Sequence, residues 1–116
     1  RLRALMRRRQ TFRAADSSGD IEYSAPDRSV HGPEGATILA NKEAQILLLL
    51  ASSPRDTFSR EEILASVWGR AAEVTLRTVD LNVSRLRRKL RDVGLRATVS
   101  AVYGVGYRLQ GVLYRR

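Results

Sequence analysis

The stretch TVDLNVSRLRRKLRDVG, residues 78–94, holds five basic residues within seven positions and still keeps an apolar residue every three or four. Extended one turn back, Leu76, Val79, Val83, Leu86, Leu90 and Val93 fall on one stripe at 100° per residue. The spacing predicts a helix from about Leu76 to Val93, closed by Gly94. Ser84, Arg85, Arg88 and Arg91 point away from the stripe, and Arg87 and Lys89 flank it. Six basic residues face only Asp80 and Asp92 along this helix. Pairing within the helix therefore leaves most of the charge uncompensated, and like-charge pairs destabilise an isolated helix by about 0.2–0.5 kcal/mol each. Two readings fit: a solvated surface face with scattered ion pairs, or a face that meets a polyanion. A duplex phosphate backbone compensates such charge by releasing counterions, and a helix fits a DNA major groove.

Charge along the whole chain favours the second reading. Lys and Arg number 21 against 12 Asp and Glu, a net +9, which is more than solubility requires. From Ala14 to Glu43 six acidic residues stand against two basic, net −4; from Leu76 to Arg116 ten basic stand against two acidic, net +8. A field aimed at one face uses such polarity. At 116 residues and 43% hydrophobic composition the chain suits one small domain. With no cysteine there is neither a disulfide framework nor a thiolate metal site. The longest apolar run, AQILLLLA, is too short to cross a bilayer, so a soluble, cytoplasmic protein with no membrane partner is expected. Residues 1–10, RLRALMRRRQ, read as the end of something longer, with Leu2, Leu5 and Met6 on one helical face.

Residues 11–39 read as short strands, TFRAA, DIEYSA, RSVHG and ATIL, parted by turn clusters, an antiparallel meander. NKEAQILLLLASS has helical length, with Asn41 as cap and apolar density that implies burial on several sides. A second helix opens at Ser59, where Ser59 and Glu62 form a capping box, and stops at Gly69. After the loop RAAEVT and the basic helix, ATVSAV and YRLQGVLY flank YGVGY as a closing hairpin.

Other candidate residues carry less. Gly104 and Gly106 allow positive φ and close approach, and Tyr103, Tyr107 and Arg108 beside them can reach sugar or phosphate; a tight turn with packing tyrosines explains them equally well. The turn lacks G-x-G-x-x-G and a Walker Lys, which argues against a nucleotide cradle. Trp68 reads as core, or as a phosphate donor at the rim. His31 is the only histidine and reads as structural, because one imidazole cannot build a metal site. Glu61 and Glu62 diverge on a helix and suit capping rather than acid and base catalysis. No catalytic group, metal or cofactor is expected.

LANKEAQILLLLA, FSREEILASVWG, LRTVDLNVSRLRRKL and AVYGVGYRL stand in the order and spacing of the DNA-binding effector domain of OmpR/PhoB-type response regulators. Covering most of residues 38–109, they resemble that family specifically. The resemblance implies an α+β winged helix-turn-helix: an N-terminal four-stranded antiparallel sheet, three helices and a C-terminal β-hairpin wing over residues 11–116, with residues 1–10 as the end of a phosphorylatable receiver domain plus linker. It makes the helix from Arg77 the recognition helix. Arg85 is the foremost base-contacting candidate, joined by Asn82, Ser84 and Arg88; Trp68, Arg77, Thr78, Arg87 and Tyr107 match phosphate positions. Asn82 stands where His is common. In the wing, formed by Tyr103, Gly104, Gly106 and Arg108, Tyr103 replaces an arginine that many members slide into the minor groove. Ala40 and Ala44 replace a Thr and an aromatic at the start of the first helix.

The implied partners are double-stranded promoter DNA with direct repeats, RNA polymerase through GRAAEVT, and a second copy joined through the receiver, the fragment alone being monomeric. A basic module docking on an acidic protein is the competing class, and an RNA-binding module a weaker one, since aromatics are few.

Overall fold

The computed structural model describes residues 20–70 and 73–115. The expected strand at 11–15 and the segment at 1–10 lie outside the described residues. The elements run β1 (Asp20–Ser24), β2 (Ser29–Gly32), β3 (Gly35–Ile38), α1 (Asn41–Ala51), β4 (Phe58–Ser59), α2 (Arg60–Val67), α3 (Leu76–Asp92), β5 (Thr98–Val102), β6 (Gly106–Gln110) and β7 (Val112–Arg115).

The amino-terminal strands follow the period of two: Ile21 and Tyr23 are buried while Glu22 between them is exposed. β1, β2 and β3 pair antiparallel in sequence order. Among the described residues this sheet has a fourth strand that the sequence placed in the closing hairpin. It is the carboxy-terminal β7, which lies parallel to β1 with Ile21 opposite Leu113. YRLQGVLY is therefore two strands in two sheets. The chain breaks between them at Gly111, whose φ of 136° is open to glycine alone.

Helix ends show which local signals act. At α2, Ser59 Oγ accepts from the Glu62 N–H at 3.0 Å while Glu62 Oε1 accepts from the Ser59 N–H at 2.7 Å, the reciprocal box expected from the sequence. At α1 the cap is Ala40, not Asn41. Alanine has no side-chain acceptor, and the interaction that remains is the other half of a box: Glu43 Oε1 accepts from the Ala40 N–H at 2.9 Å. Asn41, already inside the helix, accepts from Gln45 Nε2. The Gly69 N–H closes α2 on the Leu64 and Ala65 carbonyls, and beyond Gly94 the Leu95 N–H returns to Leu90 O.

The three helices of the described residues close on one core. Ile46, Leu47 and Leu50 of α1, Ile63 of α2, and Val79, Leu86 and Leu90 of α3 are completely buried, with Val83 nearly so. Val99 and Leu109 bring the hairpin onto the same cluster. Full burial of such a side chain stabilises by about 1.5–3 kcal/mol. Four of them on α3 outweigh several like-charge repulsions of a few tenths each, so burial sets the helix's rotation and charge does not.

The wing has a third strand that the sequence reading lacked. β4 pairs with β6 through Phe58 opposite Tyr107 and Ser59 opposite Gly106, beside the β5–β6 hairpin, where Val99 faces Leu109. A Cβ on Gly106 would run into the Phe58 carbonyl, so glycine there is what lets β4 approach.

Leu86→Ala should lower the unfolding free energy by about 2–5 kcal/mol through a core cavity, measured by urea titration. A change below 0.5 kcal/mol would show that the helix is rotated otherwise.

Candidate nucleic-acid interface

With its seam buried, α3 presents Arg77, Leu81, Ser84, Arg85, Arg88 and Arg91 as an exposed face. Arg85 and Arg88 have no hydrogen-bond or ion-pair partner among the described residues. Lys89 behaves differently. Its Nζ lies 2.8 Å from Glu43 Oε1 and 3.0 Å from Ile38 O, and Glu43 is only 3% exposed. One cation of the basic run is thus a structural counterion for a buried carboxylate, and it ties α3 to α1.

Asp80, counted from the sequence among the few neutralisers of its own helix, is instead held from outside. Arg60 grips it through Nε at 3.2 Å and Nη2 at 2.7 Å, and the Tyr107 hydroxyl donates to Oδ1 at 2.7 Å. Burial pushes the Asp80 carboxyl up, but the hydrogen bonds from Arg60 and Tyr107 outweigh it and hold the pKa below the usual 3.8. Burial, then the bond to Asp80, raises the Tyr107 phenol above its ordinary 10.0. At neutral pH the pair is a carboxylate and a protonated phenol. The positive character of the free face therefore comes from its arginines, with Lys89 and Asp80 both neutralised by other elements.

The remaining sequence candidates fall into three positions. Asn82 is half-buried and its Nδ2 donates to Thr78 O at 2.9 Å, so the amide is turned back on the helix. Arg87 donates from Nε to Val99 O at 2.7 Å and stacks over Tyr107 at 5.9 Å; its guanidinium braces the wing. The Tyr107 hydroxyl, with its proton directed at Asp80, is not offered outward as a phosphate donor. Trp68 caps α2 half-buried at the core's edge, with Lys42 Nζ 5.8 Å from its ring centre, a position that joins the core and rim readings. At the wing tip Tyr103 is fully exposed and Val105 is 54% exposed. The Val105 N–H closes the turn on Val102 O at 2.9 Å, with Gly104 at φ 74°. Arg108 is exposed on β6, one residue from the inward Leu109.

Leu81, 43% exposed, is a site-face residue that the sequence did not single out. It lies one turn from both Arg77 and Arg85, opposite the seam. Helical phase alone identifies it as an apolar patch inside the cationic face.

A helix-turn-helix whose third helix bares a cationic face, followed by a braced hairpin, is a winged helix-turn-helix domain. The family described as "Transcriptional regulatory protein, C terminal" matches residues 34–109. The heme response regulator HssR of Staphylococcus aureus (strain JH9) is 32% identical over 111 residues, covering 95% of this chain and 50% of the relative. HssR of Staphylococcus saprophyticus is 34% identical over 93 residues, 80% of this chain and 42% of the relative. The chain spans about half the length of the curated relatives it matches. Among solved structures, the DNA-binding domain of Bacillus subtilis CssR superposes with a TM-score of 0.67 at 37% identity, covering 77% of this chain and 98% of that one. The DNA-binding domain of the response regulator AdeR, in complex with an intercistronic region, gives 0.66 at 32%, covering 78% and 94%. The chain belongs to the OmpR/PhoB-type family of carboxy-terminal effector domains of transcriptional regulatory proteins.

Removing the cation from a buried carboxylate separates structural from free charge. Lys89→Ala should cost about 1–3 kcal/mol of unfolding free energy, whereas Arg88→Ala should stay within about 0.5 kcal/mol. Equal effects in denaturant titrations would contradict the division.

Proposed function

We propose that this domain binds double-stranded DNA sequence-specifically, as the effector part of a two-component response regulator that controls transcription in the cytoplasm. The observation that carries the proposal is the exposed face of α3, where Arg85 and Arg88 have no hydrogen-bond or ion-pair partner among the described residues while the opposite seam is buried. A helix held this way enters a major groove with its free side forward. Arg85 offers a bidentate pair to guanine, Ser84 and Arg88 flank it, and Leu81 suits a thymine methyl. Asn82 reads a base only after releasing Thr78 O. Arg77, Thr78 and Trp68 meet phosphates, which set register without specifying sequence.

The wing lies against the adjacent backbone and minor groove. Its tip offers Tyr103 and Val105, so its contact there is with sugar faces rather than the cationic readout of a narrow groove. Arg108, outside the tip, adds charge near the backbone. In the whole protein, a receiver domain brings two copies onto direct repeats about one helical turn apart, and the loop before α3 meets RNA polymerase.

A gel shift over a salt series, with the selected site and a random duplex, tests the reading. Arg85→Ala should cost about 1–3 kcal/mol on the selected site alone and relax preference at one base pair. Arg77→Ala should weaken both duplexes alike and reduce the salt slope by about one. Equal losses from Arg85→Ala on both duplexes would remove its base-reading role. Absence of duplex binding by the wild type, with retention of an acidic protein, would replace the proposal by a protein-docking module.

A further inference from the structure

One flank of α3 carries two fastenings to the wing. Asp80 receives the Tyr107 hydroxyl of β6 and is itself clamped by Arg60, the first residue of α2. Arg87 reaches the Val99 carbonyl of β5 and lies over the Tyr107 ring. Seven residues apart, Asp80 and Arg87 lie two helical turns along the same stripe, separated by about 10.5 Å of axial rise. Each strand of the hairpin is thus tied to α3 at its own height, and two separated ties remove the rotation that one would leave.

We propose that Asp80 and Arg87 are wing-positioning residues. They fix the angle between the wing and the recognition helix, so that the spacing between major-groove contacts and flanking backbone contacts is built into the free protein. The geometry supports this in three ways. The two-pronged Arg60 grip orients the plane of the carboxylate, so that Oδ1 is aimed at β6 before DNA arrives. The Arg87 side chain, a phosphate candidate by family position, has its Nε–H directed at the wing. The ties are polar and half-exposed, so substituting them leaves the apolar core of the wing, Val99 and Leu109, in place.

The consequence for binding rests on the proposed DNA function; the positioning itself does not, and the experiment separates them. The chain has no cysteine, so spin labels at Tyr103→Cys and Asp92→Cys report the wing-to-helix distance without background. Without DNA, a single narrow distribution is expected for this labelled protein and a broader one after Asp80→Asn or Tyr107→Phe. The second variant keeps the ring and removes only the hydroxyl, so it decides the matter if the first does not fold. On a duplex, with unlabelled protein, both variants should keep guanine N7 protection in the major groove, lose backbone protection on the wing side, and bind about tenfold more weakly, as loss of one charged hydrogen bond implies. Distance distributions as narrow in Tyr107→Phe as in its parent would overturn positioning. Uniform loss of protection on both sides would also overturn it, in favour of a purely structural role. Broadened distances with no duplex binding by the wild type would uphold positioning and remove the DNA function alone.

Discussion

The whole interface depends on burial of one apolar seam. Val79, Val83, Leu86 and Leu90 are packed against α1, α2 and the hairpin, and no arrangement of surface charge competes with that burial in magnitude. Because a helix is rigid about its axis, fixing one stripe fixes the opposite one. Arg85, Arg88 and Ser84 are outward as a geometric consequence of what is inward. The cationic face needs no interaction of its own to hold it in place.

Electrostatics then separates the charged residues of α3 by partner. Lys89 supplies the counter-charge to the buried Glu43 carboxylate, and Asp80 is answered by Arg60 and Tyr107. Both pairs lie on flanks of the helix, where it meets α1 on one side and the wing on the other. What remains outward is arginine, whose planar fork suits both guanine and phosphate. Net charge overstates the field: of six basic residues on the helix, Lys89 is neutralised and Arg87 is turned to the wing.

The seam and the helix ends were legible in the sequence because both are local. A period of 3.6 shows within one segment, and Ser59 and Glu62 are three positions apart. The α2 box was readable for that reason, whereas Ala40 gave no sign that Glu43 would serve the α1 terminus from below. The pairs that organise the interface were not readable. Lys89 and Glu43 are 46 positions apart, Tyr107 and Asp80 are 27, and Arg60 and Asp80 are 20; each exists only once the helices have packed. β4, at two residues, is too short to show a period. The parallel pairing of β7 with β1 had only the Gly111 break as a local sign. Leu81 was visible in phase and hidden by residue type, since an apolar residue on a helix is ordinarily assigned inward.

The most direct measurement of the central claim is side-chain NMR of the arginine Nε–H and lysine Nζ groups of the free domain, followed as a duplex is added at physiological ionic strength. The Arg85 and Arg88 signals should start in fast exchange with water and become protected on binding, while Lys89, already paired with Glu43, stays unchanged. Protection of Arg85 and Arg88 before any duplex is added, or a Lys89 signal that responds in their place, would mean that the seam faces another way.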